Sequence, residues 1–340
     1  MSETLGFALV GCGDIGWRNA QSIAQADGAS LVRLVDIDVQ AAGKLAERFS
    51  VPVSPSFTEA LTDRRVDAVF IATPHDLHAP MVIEAAKAGK HVIVEKPMAT
   101  TVADAEAAIA ACENAAVSLS VCHPRRYEEK IKRARELVEE GNIGSLLLTN
   151  SRFVKERTPD YWSRAPWRRK RSRSGGGVLI TNLIHHIDAL QVITGHRIIT
   201  AVGLTATQSG NAEVEDSAAV AVRYDSGALG TLAACSSIPG KKAFEDQVYG
   251  KKGRLIVEKR TVRLQMHDSY VSGEPESWTV FDFEEDSVSK TRFIESFAAS
   301  VKSSEPPPLP GSYGLELLRI VLNVYQTPHA TMVSSNEEVI

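Results

Sequence analysis

Gly6-Phe7-Ala8-Leu9-Val10-Gly11-Cys12-Gly13-Asp14-Ile15-Gly16 is an apolar run that opens onto three glycines spaced G-x-G-x-x-G, and Asp36 stands twenty positions beyond the last glycine. A strand, a glycine turn and a helix pattern in that order begin a βαβ unit that binds a dinucleotide. The first glycine permits the tight turn, and the second lets the backbone approach a pyrophosphate. The third lets helix and strand pack, while free N–H groups at the helix start face the phosphates. Gly11, Cys12, Gly13, Asp14, Ile15 and Gly16 are therefore candidate cofactor contacts. Asp36 can accept hydrogen bonds from both hydroxyls of an adenine ribose and would repel a 2′-phosphate. Ile37 brings no compensating cation and Asp38 adds negative charge, so the expected cofactor is NAD in preference to NADP.

Working outward, strand and helix signals alternate over the first 120 or so residues. Leu31–Val35, Ala68–Ala72, His91–Glu95 and Val117–Val121 read as strands, and Val39–Phe49, His78–Ala88 and Ala103–Asn114 as helices. This alternation predicts an N-terminal Rossmann domain with a doubly wound parallel sheet, assigned to residues 1–124. From Tyr127 the character changes. A helix over Glu128–Glu140 leads to strand-like segments at Leu146–Val154, Ile198–Thr205, Ser217–Tyr224, Leu229–Ser236, Gln247–Tyr249, Arg254–Lys259 and Val262–Met266. Turn-length links at Asp225-Ser226-Gly227 and Gly250–Gly253 predict a largely antiparallel open sheet, with a helix after Gly177 on one face. Residues 125–340 are thus assigned to a C-terminal α/β domain that binds substrate, ending in a helix over about 311–326. An open sheet whose second face needs covering predicts a homodimer or homotetramer formed through it.

The 340 residues carry a formal net charge of -4 and 44% hydrophobic content. That balance gives no pull toward nucleic acid or an anionic membrane surface. The apolar runs are strand-length, too short to span a bilayer. Met1-Ser2-Glu3-Thr4 lacks the basic start of a secretory signal, so a cytoplasmic location is expected. Cys12, Cys112, Cys122 and Cys235 show no metal-binding spacing and read as reduced thiols; no metal site is expected.

Two segments can carry chemistry. Glu95-Lys96-Pro97 ends a predicted parallel strand, the edge where ligands bind in open α/β sheets. Proline holds the preceding residue extended, so Lys96 is either a hydroxyl-binding group beside the nicotinamide or a solvated lysine at a strand tip. Gly175-Gly176-Gly177 precedes a helix pattern on which Thr181, His185 and Asp188 share one face. The three glycines let backbone pass close to a ligand or to another chain segment. His185 can accept a proton near neutral pH or serve as a hydrogen-bonded helix residue; His186 is rotated away from that face. His123, after the last strand of the first domain, is expected near the cofactor cleft, and Arg125 and Arg126 read as ion-pair residues joining the domains. Arg164–Arg173 carries six cations in ten residues. It reads as a solvated basic loop, a subunit contact, or part of a pocket for an acidic polyol such as a uronic acid.

Taken together, these residues resemble the glucose-fructose oxidoreductase / inositol dehydrogenase / MocA (Gfo/Idh/MocA) family. The resemblance spans nearly the whole chain: the glycine loop, Ala72-Thr73-Pro74-His75-Asp76-Leu77-His78, Glu95-Lys96-Pro97, the GGG-to-H-x-x-D segment ending at Asp188, Gly314-Leu315 and the closing Val339-Ile340. It implies catalytic roles for Lys96 and His185. It adds Ala72, Thr73, Pro74, His78, Glu95 and Lys96 to the cofactor contacts. It also implies a substrate pocket bordered by Tyr161, Trp162, Trp167 and Arg168, with Thr181, Asn182, His185 and His123. Many sugar and inositol dehydrogenases of the family carry an aspartate four residues before the histidine, where this chain has Thr181. The implied function is NAD-dependent oxidation of a secondary hydroxyl on a sugar, cyclitol or related polyhydroxy compound, acidic ones included. The same fold also serves non-catalytic dinucleotide sensors and redox-cycling glycoside hydrolases or eliminases.

Overall fold

The computed structural model describes residues 4–208, 212–240, 242–266 and 277–327. Val339-Ile340, part of the family resemblance, lies outside them. The first half runs β1 (Leu5–Val10), α1 (Gly16–Gln25), β2 (Ala29–Val35), α2 (Val39–Phe49), β3 (Val53–Ser54), α3 (Phe57–Thr62), β4 (Ala68–Ile71), α4 (His78–Lys87), β5 (His91–Glu95), α5 (Val102–Asn114) and β6 (Leu119–Cys122). The six strands form one sheet in the order β3-β2-β1-β4-β5-β6, all neighbours parallel. Both faces are covered, which is why β1 and β4 are apolar at every position. On one face Val10, Ile71 and Val94 pack with Val82, Ala85 and Ala108 of α4 and α5.

The second half begins with α6 (Glu129–Glu139), β7 (Leu146–Lys155), the short helices α7 (Pro159–Ser163) and α8 (Arg171–Ser174), and α9 (Ile184–Thr194). It continues through β8 (Ile198–Ala206), β9 (Ser217–Tyr224), β10 (Leu229–Cys235), β11 (Lys242–Gly250), β12 (Gly253–Val257), β13 (Thr261–Met266) and β14 (Thr279–Asp282) to α10 (Ser289–Ser303) and α11 (Gly311–Gln326). Its eight strands lie in the order β14-β13-β12-β11-β7-β10-β9-β8; β7 and β10 are parallel and the other pairs antiparallel. The fold is thus a Rossmann-type parallel sheet followed by a mostly antiparallel open sheet.

α10 gave no clear signal in the sequence and packs back on the first sheet. Its Phe293 and Phe297 join Phe7, Leu9, Phe70 and Ile93 with Ile23 of α1. Each such buried side chain contributes about 1.5–3 kcal/mol. The 125–340 block therefore supplies a layer to the first sheet. β11 is longer than the expected Gln247–Tyr249 because Asp246, a polar residue facing inward, interrupts the apolar pattern.

The open sheet alternates inside and outside along each strand. On β9, Ala218, Val220, Val222 and Tyr224 are buried while Ala219, Ala221 and Arg223 are exposed. α6, α9 and α11 cover the inner face. The outer face exposes Leu148, Val202, Leu204 and Leu229 beside small alanines.

Candidate active site

The glycine loop joins β1 to α1 at the carboxyl edge of the parallel sheet. Gly11 has φ 96°, and a Cβ there would sit 2.6 Å from the Ala72 carbonyl oxygen, so only glycine fits against the loop after β4. A Cβ on Gly13 would meet nothing within 4 Å, which leaves its backbone open to a ligand. Asp36 ends β2 with one carboxylate oxygen accepting from Cys12 N at 2.7 Å and the other from Asp38 N at 2.9 Å. Its carboxylate thus stands beside the turn that a pyrophosphate would occupy. These residues fit a dinucleotide: Gly11–Gly16 would cradle its phosphates and Asp36 its adenine ribose. Burial pushes the Cys12 thiol up to about 12, with Asp36 adding to the effect, so Cys12 is no nucleophile.

Two expected cofactor contacts sit elsewhere. His78 is fully buried, its ring nitrogens 2.7 and 2.9 Å from the carbonyl oxygens of Pro97 and Thr73. It ties the loop after β4 to the loop after β5, and its side chain does not reach the cleft. Glu95 is buried too, with its carboxylate accepting from Lys290 of α10 at 2.8 Å. Ala72, Thr73 and Pro74 follow β4 beside the glycine loop, where Ala72 N donates to Val10 O at 2.7 Å.

Lys96, just past β5, crosses to the other half of the molecule: its Nζ donates to the Thr181 carbonyl oxygen at 2.7 Å. Thr181 lies in a π-helical turn, Leu179–Leu183, that precedes α9. Such turns shift backbone carbonyls out of the α-helical ladder and recur at functional sites. The Thr181 hydroxyl is turned the other way, 2.6 Å from Gly177 O and 3.0 Å from Asn182 Oδ1. Burial lowers the Lys96 ammonium to about 8, opposed by Glu95 and reinforced by Arg157 and Lys290.

His185 opens α9 beside Lys96. Burial and the neighbouring Lys96 charge hold its imidazole well below the ordinary histidine value, so it is neutral. His123 meets it edge-on with ring centroids 5.9 Å apart, and Tyr313 flanks His123 at 6.4 Å. Among the described residues neither His123 nitrogen nor His185 Nδ1 has a hydrogen-bond partner. Asp188, expected on the same face as Thr181 and His185, is fully buried and bound to Arg126 at 2.6 Å and to Tyr313 OH at 2.7 Å. The π-turn sets Thr181 out of the regular spacing that the shared face assumed, while His185 and Asp188 keep an i, i+3 relation inside α9. His186 is structural, its Nδ1 2.6 Å from Asp246 Oδ1.

The three glycines serve contacts within the chain. A Cβ on Gly176 would lie 2.1 Å from Tyr325 Oη, and one on Gly177 only 1.8 Å from Glu215 O. The buried Glu215 carboxylate accepts from Gly177 N at 2.8 Å and Leu179 N at 3.0 Å, and Tyr325 OH donates to it at 2.7 Å. Glu215 thereby anchors the segment that carries Thr181 and His185.

The basic run bridges the two halves. Arg164 and Arg168 both pair with Asp14 of the glycine loop, at 3.1 and 3.0 Å. Arg173 pairs with Asp76 and Lys170 with Glu213, each at 3.0 Å. Trp167 packs edge-on against His75 at 4.8 Å, and Arg168 lies 4.4 Å from the Tyr161 ring centre. Tyr161, Trp162 and Arg168 line one groove with Thr181, Asn182, Gly176, Gly177, Ser236 and Arg157. Arg157 was not singled out from the sequence, because a lone arginine after a strand carries no local signal. Among the described residues no group of three or more His, Cys, Asp or Glu is placed to hold a metal ion. Among the described residues no helix is long and apolar enough to cross a membrane.

The chain matches two family models: "Oxidoreductase family, NAD-binding Rossmann fold" over residues 5–123 and "GFO/IDH/MocA C-terminal domain" over residues 131–256. It is 29% identical over 315 residues to myo-inositol 2-dehydrogenase of Thermotoga maritima, covering 90% of this chain and 91% of that one. It is 27% identical to scyllo-inositol 2-dehydrogenase (NAD(+)) of Bacillus subtilis, covering 89% and 85%. The WlbA dehydrogenase of Bordetella pertussis, solved with NADH and UDP-GlcNAcA, shares its fold with a TM-score of 0.84 at 24% identity, over 96% of each chain. With both halves matched and the dinucleotide turn intact, the chain is an NAD-binding dehydrogenase of the Gfo/Idh/MocA oxidoreductase family.

Proposed function

We propose that the protein oxidises a secondary hydroxyl of a sugar, cyclitol or related polyhydroxy compound, with Lys96 as proton acceptor and His185 as its partner at the substrate oxygen. The observation that carries this reading is the convergence of Lys96, from the first half, on Thr181 and His185, from the second. The inositol dehydrogenases among its relatives support a polyhydroxy substrate. When bound, NAD supplies the hydride acceptor.

The division of labour follows from the residue at 181. A carboxylate there would favour charged forms of both Lys96 and His185. With threonine, no negative charge at that position holds Lys96 protonated, and its value of about 8 suits proton transfer close to neutral pH. A neutral Lys96 amine still donates one N–H to the Thr181 carbonyl, leaving its lone pair free for the substrate hydroxyl. His185, neutral throughout this range, positions the same oxygen. A positioned proton acceptor contributes about 10²- to 10⁴-fold, and alignment of the reacting carbons adds to it.

The test is NADH formation across a panel of inositols, sugars and sugar acids. The expected result is turnover of at least one member, lowered about 10²-fold or more in Lys96→Met, with NADH binding by fluorescence retained. Tight NAD binding with no turnover of any member would favour a sensor; a retained cofactor with product but no net NADH would favour redox cycling. The exposed outer face of the open sheet supports a homodimer or homotetramer assembled across it, since a second copy would cover Val202, Leu204 and Leu229.

A further inference from the structure

The groove beside Lys96 contains one strong cation with no carboxylate to balance it. Arg157 follows β7, and its backbone is fixed by Arg157 N donating to Ser236 O at 2.8 Å. Its guanidinium lies 4.1 Å from the Tyr161 ring centre and makes one long contact, 3.5 Å, to Asn182 Oδ1. No ion pair involves it among the described residues, whereas its neighbour Arg168 is tied to Asp14. The groove's lining has two arginines and no acid. Its other groups, Thr181, Asn182 and Ser236 with the rings of Tyr161 and Trp162, suit a polyhydroxylated ring. The surrounding field is positive as well: Arg157, Lys242 and Arg18 all disfavour the charge on Lys155, and Arg157 does the same to Lys96.

We propose that the substrate is a sugar acid or another polyhydroxy carboxylate, and that Arg157 binds its carboxylate. The flat guanidinium, stacked on Tyr161, presents parallel N–H donors that match two carboxylate oxygens. An arginine left half-buried without a counter-ion is costly alone and is satisfied when such a ligand arrives. The cations of Arg164–Arg173 do not provide this site. Arg164, Arg168, Lys170 and Arg173 are paired with Asp14, Glu213 and Asp76, while Arg169 and Arg171 lie against the Trp162 and Tyr325 rings and do not line the groove. The proposal rests on the dehydrogenase reading for the location of the site, but binding tests it separately from turnover.

The experiment is isothermal titration of the NADH-loaded protein with D-glucuronate, D-galacturonate and D-gluconate, each against its neutral counterpart, D-glucose, D-galactose or D-glucitol. At least one acid is expected to bind about ten- to a hundredfold tighter than its counterpart. Arg157→Met, which keeps the apolar stem, is expected to abolish that difference, bringing the affinity for the acid down to that for its neutral counterpart. Arg157→Lys is expected to restore it only in part. Equal affinity for acid and neutral forms across all three pairs, or an undiminished preference in Arg157→Met, would overturn the proposal. Selective acid binding with no NADH formed from any compound would leave this inference standing and sink the dehydrogenase reading instead.

Discussion

Lys96 and Thr181 are joined through the backbone of one and the side chain of the other: the lysine Nζ donates to the threonine carbonyl oxygen at 2.7 Å, and the threonine hydroxyl takes no part. The contact that brings the two halves of the site together is therefore indifferent to the residue type at 181. What that residue decides is electrostatic. Thr181→Asp is expected to keep the Lys96 contact but raise the lysine's titration by about one unit or more, toward its ordinary value. The pH profile of kcat/KM checks this; an unmoved profile would mean that position 181 does not tune Lys96.

Asp36 sets the cofactor. Its carboxylate is held by Cys12 N and Asp38 N where the adenine ribose would lie. Asp36→Ser is expected to weaken NAD binding and to strengthen NADP binding about tenfold, through loss of repulsion toward the 2′-phosphate. Fluorescence titration with NADH and NADPH reads both changes. No gain for NADPH would place the discrimination elsewhere.

Glu215 is expected to be a stability residue. Removing it strands Gly177 N, Leu179 N and Tyr325 OH, all bound to its buried carboxylate. Glu215→Ala should cost on the order of 3 kcal/mol, seen as a lower Tm or denaturant midpoint. A loss below about 0.5 kcal/mol would show that this anchor is not needed.

The outer sheet face is expected to be an interface. Leu204 is 59% exposed and pairs with Ala219 on an apolar surface. Light scattering should find a dimer or tetramer, and Leu204→Glu with Val202→Lys should shift it toward monomer. A monomeric parent protein would remove the idea.

The first domain was legible because its strands are short, wholly apolar and separated by glycine turns, a pattern few other folds share. Lys96 and His185 were visible through motifs tied to strand and helix ends. Three features were hidden for physical reasons. The partner of β1 on one face is α10, some 280 residues away, and no local pattern records such a contact. The π-turn at Leu179–Leu183 shifts Thr181 relative to α9, and the partners of Asp188, Arg126 and Tyr313, are 62 and 125 residues away, so neither could be read from spacing. In the basic run, composition revealed the charge but not its counter-ions. Asp14 and Asp76 lie in the other half of the chain, so Arg164, Arg168 and Arg173, which looked free, are paired across the halves, and the unbalanced cation of the groove, Arg157, stands outside the run.

The most direct test of the central claim, that Lys96 accepts the hydroxyl proton, is kcat/KM for the reactive polyol against pH at saturating NAD. Lys96 is charged below its titration point and neutral above it, so the rate should climb with pH and level off above about 8. The climb should vanish in Lys96→Met. A profile that is flat through that point, or falls through it, would contradict the assignment.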